Sequence, residues 1–246
     1  MISFEAVTGL PEFAPGDDLA AAILERSAPA EGDIVVVAQK AVSKCEGRFA
    51  DPALAAPGDR ARELAAQTGK DPGLVQLILD ESREVLRAAP GVIIVETRQG
   101  FVCANAGIDS SNVPGEERVL LLPLDCDASA RRLRAQLQAG GDLQLAVIIT
   151  DSFGRAWRSG QSDVAIGCAG IDPLLDLRGE RDRDGRELTA TIQAVADELA
   201  GGADLARAKG SGQPVIIARG RGDLVIADDG PGAIASLRER GQDLFR

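Results

Sequence analysis

Asp151 and Ser152 follow Thr150 at the end of an unbroken apolar run, Leu145 to Ile149, and Gly154, Arg155 and Arg158 come close behind. A carboxylate and a hydroxyl offer oxygen ligands to a hard cation, and guanidinium groups clamp phosphate or carboxylate oxygens. A second segment of similar character is Asn105-Ala-Gly-Ile-Asp-Ser-Ser-Asn112, a loop of small and polar residues in which Asp109 could share a cation with Asp151. A third lies behind the apolar run Ile34 to Val37, where Gln39, Lys40 and Lys44 bring an amide and two ammonium groups that act on phosphate as point charges. Each segment alone also reads as ordinary structure: a polar strand-to-loop junction, an Asx-rich turn, and solvated loop lysines.

Composition narrows the chemistry. The 246 residues contain no His and no Tyr, which removes Ser-His-Asp catalysis, imidazole bases and His-ligated zinc. Any metal must then be held by oxygen, so magnesium and manganese are the default ions. Cys45, Cys103, Cys126 and Cys168 are scattered without a C-x-x-C pair, which suggests neither a zinc site nor a disulfide framework. A net charge of -11 argues against general binding of nucleic acid or of anionic membranes. No apolar run approaches the ~18 residues of a membrane span, and Met-Ile-Ser-Phe-Glu does not begin a secretory signal. The expected compartment is the reduced cytoplasm.

The elements that must position these groups are readable in outline. Ile34–Val37, Val92–Val95, Val119–Leu122, Leu145–Ile149 and Pro214–Ala218 read as strands, the Leu145 strand ending at Thr150 with a turn at Gly154. Leu19–Arg26 reads as a helix capped by Asp17 or Asp18, and Ala128–Leu137 as an amphipathic helix. Gly58–Ala89 has helical spacing at Leu74, Leu77, Ile78, Glu81, Val85 and Leu86, with Asp71 and Pro72 opening a second helix that Pro90-Gly91 stops. Glu187–Leu205 also reads as helical. Ser159–Gly170 is glycine-rich but matches no Walker loop, and Asp228-Asp229-Gly230 reads as a turn. Strands alternating irregularly with helices give an α+β (mixed α/β) class, with no linker or repeat dividing residues 1–246.

Four segments together, Gly9-Leu-Pro-Glu-Phe13, Val42-Ser-Lys-Cys-Glu-Gly-Arg48, Asn105–Val113 and Ile149–Arg158, resemble the coenzyme F420:L-glutamate ligase family. The likeness runs in one collinear order from about Gly9 to Gly220. It implies a two-lobed gamma-glutamyl-ligase fold forming an intertwined homodimer, in the stand-alone form that lacks a C-terminal nitroreductase-like domain. It implies GTP as co-substrate, contacted by Leu10, Pro11, Glu12, Phe13, Gln39, Lys40, Lys44 and Asn112. It places one divalent ion, Mg2+ or Mn2+, on Asp109 and Asp151 and a second on Ser152, with K+ as a further ion. Lys209 stands roughly where some members supply an acidic ligand to the second ion, which is a departure from the family pattern.

The reaction the resemblance implies adds L-glutamate to the lactyl carboxylate of the deazaflavin F420-0, then a second, gamma-linked glutamate to F420-1, through an acyl phosphate. Arg155 and Arg158 are candidates for the substrate phosphate or the glutamate carboxylates, and no residue stands out as the base for the amine. Three alternatives stay open: a carboxylate-amine ligase with another acceptor, a phosphotransferase, and a nucleotide-binding module without catalysis.

Overall fold

The computed structural model describes residues 1–110, 118–141, 143–207, 210 and 212–243. In chain order it begins with β1 (Ser3–Ala6), α1 (Leu19–Arg26), β2 (Ile34–Ala38), α2 (Gln39–Cys45) and β3 (Phe49–Ala50). There follow α3 (Asp59–Thr68), α4 (Pro72–Asp80), β4 (Ser82–Ala89), β5 (Val92–Thr97), β6 (Val102–Ala104) and β7 (Val119–Leu120). The chain continues with α5 (Cys126–Gln138), β8 (Ala146–Arg155), β9 (Arg158–Ala169), β10 (Leu175–Asp176), β11 (Ile192–Gln193), α6 (Val195–Arg207) and β12 (Val215–Arg219). The class is α+β.

The main sheet has the order β1-β12-β2-β8-β9. Its centre is the parallel pair β2 and β8, with Ile34 opposite Ala146 and Ala38 opposite Thr150. Both strands are covered on two faces, which is why their sequences are unbroken apolar runs. Val35, Val37, Val147 and Ile149 join the cluster formed with α1 and α5, whereas Ile34, Val36, Ala146 and Ile148 pack on the opposite face with Ala196, Leu199 and Ala203 of α6. A third cluster, separate from these, joins α3 and α4 to β5 through Leu64, Val75, Ile78, Ile93 and Val95. Among the described residues no helix is long and apolar enough to cross a membrane.

Local signals set several boundaries. Asp18 caps α1 by accepting from the Ala21 amide at 2.9 Å, and Asp71 caps α4 by accepting from Leu74 at 2.9 Å ahead of Pro72.

The structure departs from the sequence reading in four places. The helical pattern of residues 58–89 stops at Asp80, and 82–89 is a strand pairing with β5. Val85 and Leu86 are too short an apolar group to separate the helical period from the strand period. Their β-branched partner Val92–Val95 decides, through a tight turn at Pro90-Gly91 where Gly91 has φ +81. The Leu145 strand does not end at Thr150: pairing with β9 carries it to Arg155, so the turn falls at Ala156-Trp157 and the glycine-rich segment 159–170 is largely strand. Lys40 and Lys44 lie on α2 and not in a loop, and α6 begins at Val195, later than the Glu187 expected.

Candidate active site

The parallel pair stops at Ala38 and Thr150, and its carboxyl ends open into a cleft of about 650 Å3. Neighbouring strands lie ~4.8 Å apart, so the residues just beyond the pair, Gln39 and Lys40 on one side and Asp151 and Ser152 on the other, are brought together by the sheet itself. The segment containing Asp109 reaches the same place because Asp109 bridges to Leu120 of β7, with the Asp109 amide donating to the Leu120 carbonyl at 2.9 Å. The Pro11–Phe13 segment closes another wall, anchored by Phe13, which is buried in the main core.

Asp109 is held from two directions. The Ser43 hydroxyl donates to Gln39 Oε1 at 2.8 Å, which turns the buried Gln39 amide so that Nε2 donates to Asp109 Oδ2 at 2.6 Å. Lys40 Nζ lies 3.2 Å from Asp109 Oδ1. Lys44, itself buried, pairs with the exposed carboxylate of Glu12. Asp151 and Phe153 face the α2 side of the sheet, while Thr150 and Ser152 face α6, where Asp163 and Arg207 receive them.

Asp151 is the electrostatically perturbed group. Burial, then the charge of Asp109, push its carboxyl up to about 7. A carboxylate whose ionisation a neighbouring carboxylate opposes, with the Ser152 hydroxyl on the next residue, fits a hard divalent cation. Among the described residues no three His, Cys, Asp or Glu side chains converge, so the protein supplies few ligands and leaves room for phosphate oxygens or water. Cys103 also lines the cleft, but burial pushes its thiol up to about 12, so it carries no thiolate at neutral pH.

The raised Asp151 value has a consequence for stability. The folded, metal-free protein holds this proton more tightly than the unfolded chain does, so the contribution of Asp151 to stability falls as pH rises from about 4 to about 7. Thermal melts of metal-free protein should show this loss, and the Asp151→Asn variant should lack that component. Saturating Mn2+ should reverse it, because a cation held by this carboxylate would displace the proton. An identical pH slope in wild type and variant would refute the assignment.

Of the residues marked in the sequence, Pro11, Glu12, Phe13, Gln39, Lys40, Lys44, Asp109, Asp151 and Ser152 line the cleft together. Leu10 packs against the main core beside it. Arg155 and Arg158 stand exposed at the β8–β9 hairpin tip, away from the cleft lining, with Arg155 Nη2 donating to the Ser159 carbonyl at 2.8 Å. Asn112 and Lys209 lie outside the described residues. Sequence reasoning missed Thr150, Asp163, Asp204 and Arg207, which also line the cleft. The only local signal for Asp163 is a charge inside a run that otherwise becomes apolar, Val164-Ala-Ile166.

Comparison with known proteins gives one consistent result. The family model described as F420-0:Gamma-glutamyl ligase matches residues 9–220. The chain is 43% identical to the coenzyme F420:L-glutamate ligase of Methanothermobacter thermautotrophicus, over 100% of this chain and 99% of that protein. It is 44% identical to the protein of the same name from Methanopyrus kandleri, over 94% of this chain and 92% of that one. The Halobacterium salinarum protein of that name is 48% identical, over 87% and 85% respectively.

Proposed function

The chain belongs to the F420-0:gamma-glutamyl ligase family, and on that footing we propose that it joins L-glutamate to the deazaflavin F420-0 at the expense of GTP, then adds a second glutamate by a gamma linkage. The observation that carries this reading is the meeting of Pro11–Phe13, Gln39, Lys40, Lys44, Asp109, Asp151 and Ser152, from four separate segments, in one cleft. A carboxylate does not exchange oxide for an amine unaided. The acceptor carboxylate therefore attacks the gamma-phosphorus of GTP and releases GDP. The amine of glutamate then attacks the acyl phosphate carbon and expels phosphate, with loss of the ammonium proton.

In this reading Pro11–Phe13, Gln39, Lys40, Lys44 and Asn112, with Leu10 behind them, hold the nucleotide. Lys44 exchanges Glu12 for a phosphate oxygen when GTP enters. Asp109 and Asp151 would hold one Mg2+ or Mn2+ and Ser152 would join a second, and the chemistry such ions supply is to neutralise phosphate charge and align the gamma-phosphoryl group. Arg155 and Arg158 would take carboxylate or phosphate groups of the acceptor and glutamate at the outer end. A homodimer is part of the proposal, supported by the long β8–β9 hairpin with Trp157, 79% exposed, at its tip. The working compartment would be the cytoplasm, where the four free thiols stay reduced.

The test is a mass-spectrometric assay of the purified protein with F420-0, GTP, L-glutamate, Mn2+ or Mg2+, and K+. The expected product is heavier by one or two glutamyl units, with GDP and phosphate formed in step. GTP turnover without conjugate would replace this reading with a phosphotransferase or a ligase for another acceptor. No nucleotide turnover under any metal would favour a binding module. In the same assay Lys44→Met should raise the KM for GTP by about tenfold or more, since a charge-assisted contact to phosphate is worth about 1.5–3 kcal/mol.

A further inference from the structure

Asp163 is the most enclosed carboxylate of the cleft wall, 3% exposed, and has no part in the chemistry above. It sits on β9 directly opposite Ser152 of β8. Three donors converge on it: Ser152 Oγ at 2.6 Å on Oδ1, Thr150 Oγ1 at 2.9 Å on Oδ2, and Arg207 Nη1 at 2.5 Å on Oδ2. Arg207 Nη2 also donates to Thr150 Oγ1 at 3.3 Å. A hydroxyl has one proton to give. With the Ser152 proton held by Asp163, only its lone pairs face the cleft.

We propose that Asp163 is a positioning residue that fixes the Ser152 hydroxyl as an acceptor, so that Ser152 serves as a ligand for a divalent cation and not as a donor to a phosphate oxygen. The proposal rests on the reading that Asp109, Asp151 and Ser152 hold the divalent ions. Arg207 completes the device. By occupying Oδ2 together with Thr150, it leaves Oδ1 to Ser152, and its charge compensates the buried carboxylate. The same arginine dictates what an amide would do here. In Asp163→Asn the carbonyl oxygen faces Arg207 and Thr150, so the NH2 group faces Ser152. The amide then donates to Ser152, whose own proton must swing into the cleft, where it opposes a cation. Asparagine is thus a nearly isosteric reversal of polarity at one hydrogen bond.

The experiment measures Mn2+ dissociation constants of the full chain without nucleotide, from the paramagnetic resonance signal of free Mn2+. Wild type, Asp151→Asn, Ser152→Ala, Asp163→Asn and the double variant S152A/D163N are compared. Ser152→Ala and Asp163→Asn should each weaken Mn2+ by about tenfold, the scale seen when a group that orients a ligand is removed, and the double variant should be no weaker than the worse single one. If the Asp163→Asn loss recurs in full on the Ser152→Ala background, Asp163 acts through its charge alone and the proposal is overturned. Mn2+ binding unchanged in Ser152→Ala overturns it as well. Should Asp163→Asn fail to fold because Arg207 is left uncompensated, the pair D163N/R207Q removes both charges, keeps a donor at position 207 and faces the same two criteria. The outcomes separate the two ideas. Wild type that binds no Mn2+ defeats the metal reading and this proposal together, whereas loss in Asp151→Asn with retention in Ser152→Ala defeats the positioning role alone.

Discussion

Asp151→Asn and Asp109→Asn should each lower glutamate-dependent phosphate release by about a thousandfold or more while the protein stays folded. The chemistry makes the effect large. Transfer of a gamma-phosphoryl group offers the protein little covalent work, so on the proposed reading removing the carboxylates that would hold the neutralising ion removes most of the catalysis. The structure explains why the fold should survive. Asn at 109 keeps an oxygen for the Gln39 amide and gives up the one that Lys40 meets at a partly exposed contact, and the main core does not include either aspartate. At position 151 the substitution removes a carboxylate that burial and Asp109 already disfavour, so the metal-free variant should be at least as stable as wild type at neutral pH. Activity and stability therefore move in opposite directions, which a folding defect would not produce. Near-normal turnover in both variants would sink the metal assignment. A parallel loss of melting temperature would show instead that the carboxylates are structural.

The largest stability effect is expected at Arg134, far from this chemistry. Its guanidinium is buried on α5, 4% exposed, and donates to the Leu145, Ile226, Ala227 and Asp228 carbonyls and to the side chains of Gln144 and Asp229. It ties the start of β8 to residues 226–229, of which the sequence showed only a turn at Asp228-Asp229-Gly230. The fit is close enough to dictate a neighbour: a Cβ at Gly170, where φ is +75, would lie 2.5 Å from Arg134 Nε. Arg134→Met fills much of the volume but leaves buried acceptors without a donor and Asp229 without its partner. The loss should be about 3–5 kcal/mol. For a domain of this size each kcal/mol lowers the melting temperature by roughly 2–4 °C, so a drop of about 10 °C is expected. A change of only a degree or so would mean that water or a shifted loop satisfies those carbonyls. Ligand-dependent activity of the folded fraction should change little, because no Arg134 contact reaches the cleft.

The sequence by itself determined the two central strands and the polar residue types that stand behind them. Ile34–Val37 and Leu145–Ile149 are unbroken apolar runs because both faces of a central parallel pair are buried, a requirement visible in any window that contains them. Gln39, Lys40, Asp151 and Ser152 were each legible as polar groups behind such a strand, but that they meet follows from the parallel pairing of β2 with β8. Caps such as Asp18 and Asp71 act within one turn of their targets and were legible for that reason. Only the tertiary structure decided what depends on partners distant in the chain. Residues 82–89 are a strand because β5 pairs with them, and β8 runs past Asp151 because β9 does. Asp163 gains its role from a register that sets it opposite Ser152 and from Arg207, 44 residues further along. Arg134 similarly finds its acceptors at Asp228 and Asp229, more than 90 residues away. Local propensity and periodicity carry no information about such pairings, since they are set by which surfaces the whole chain buries together.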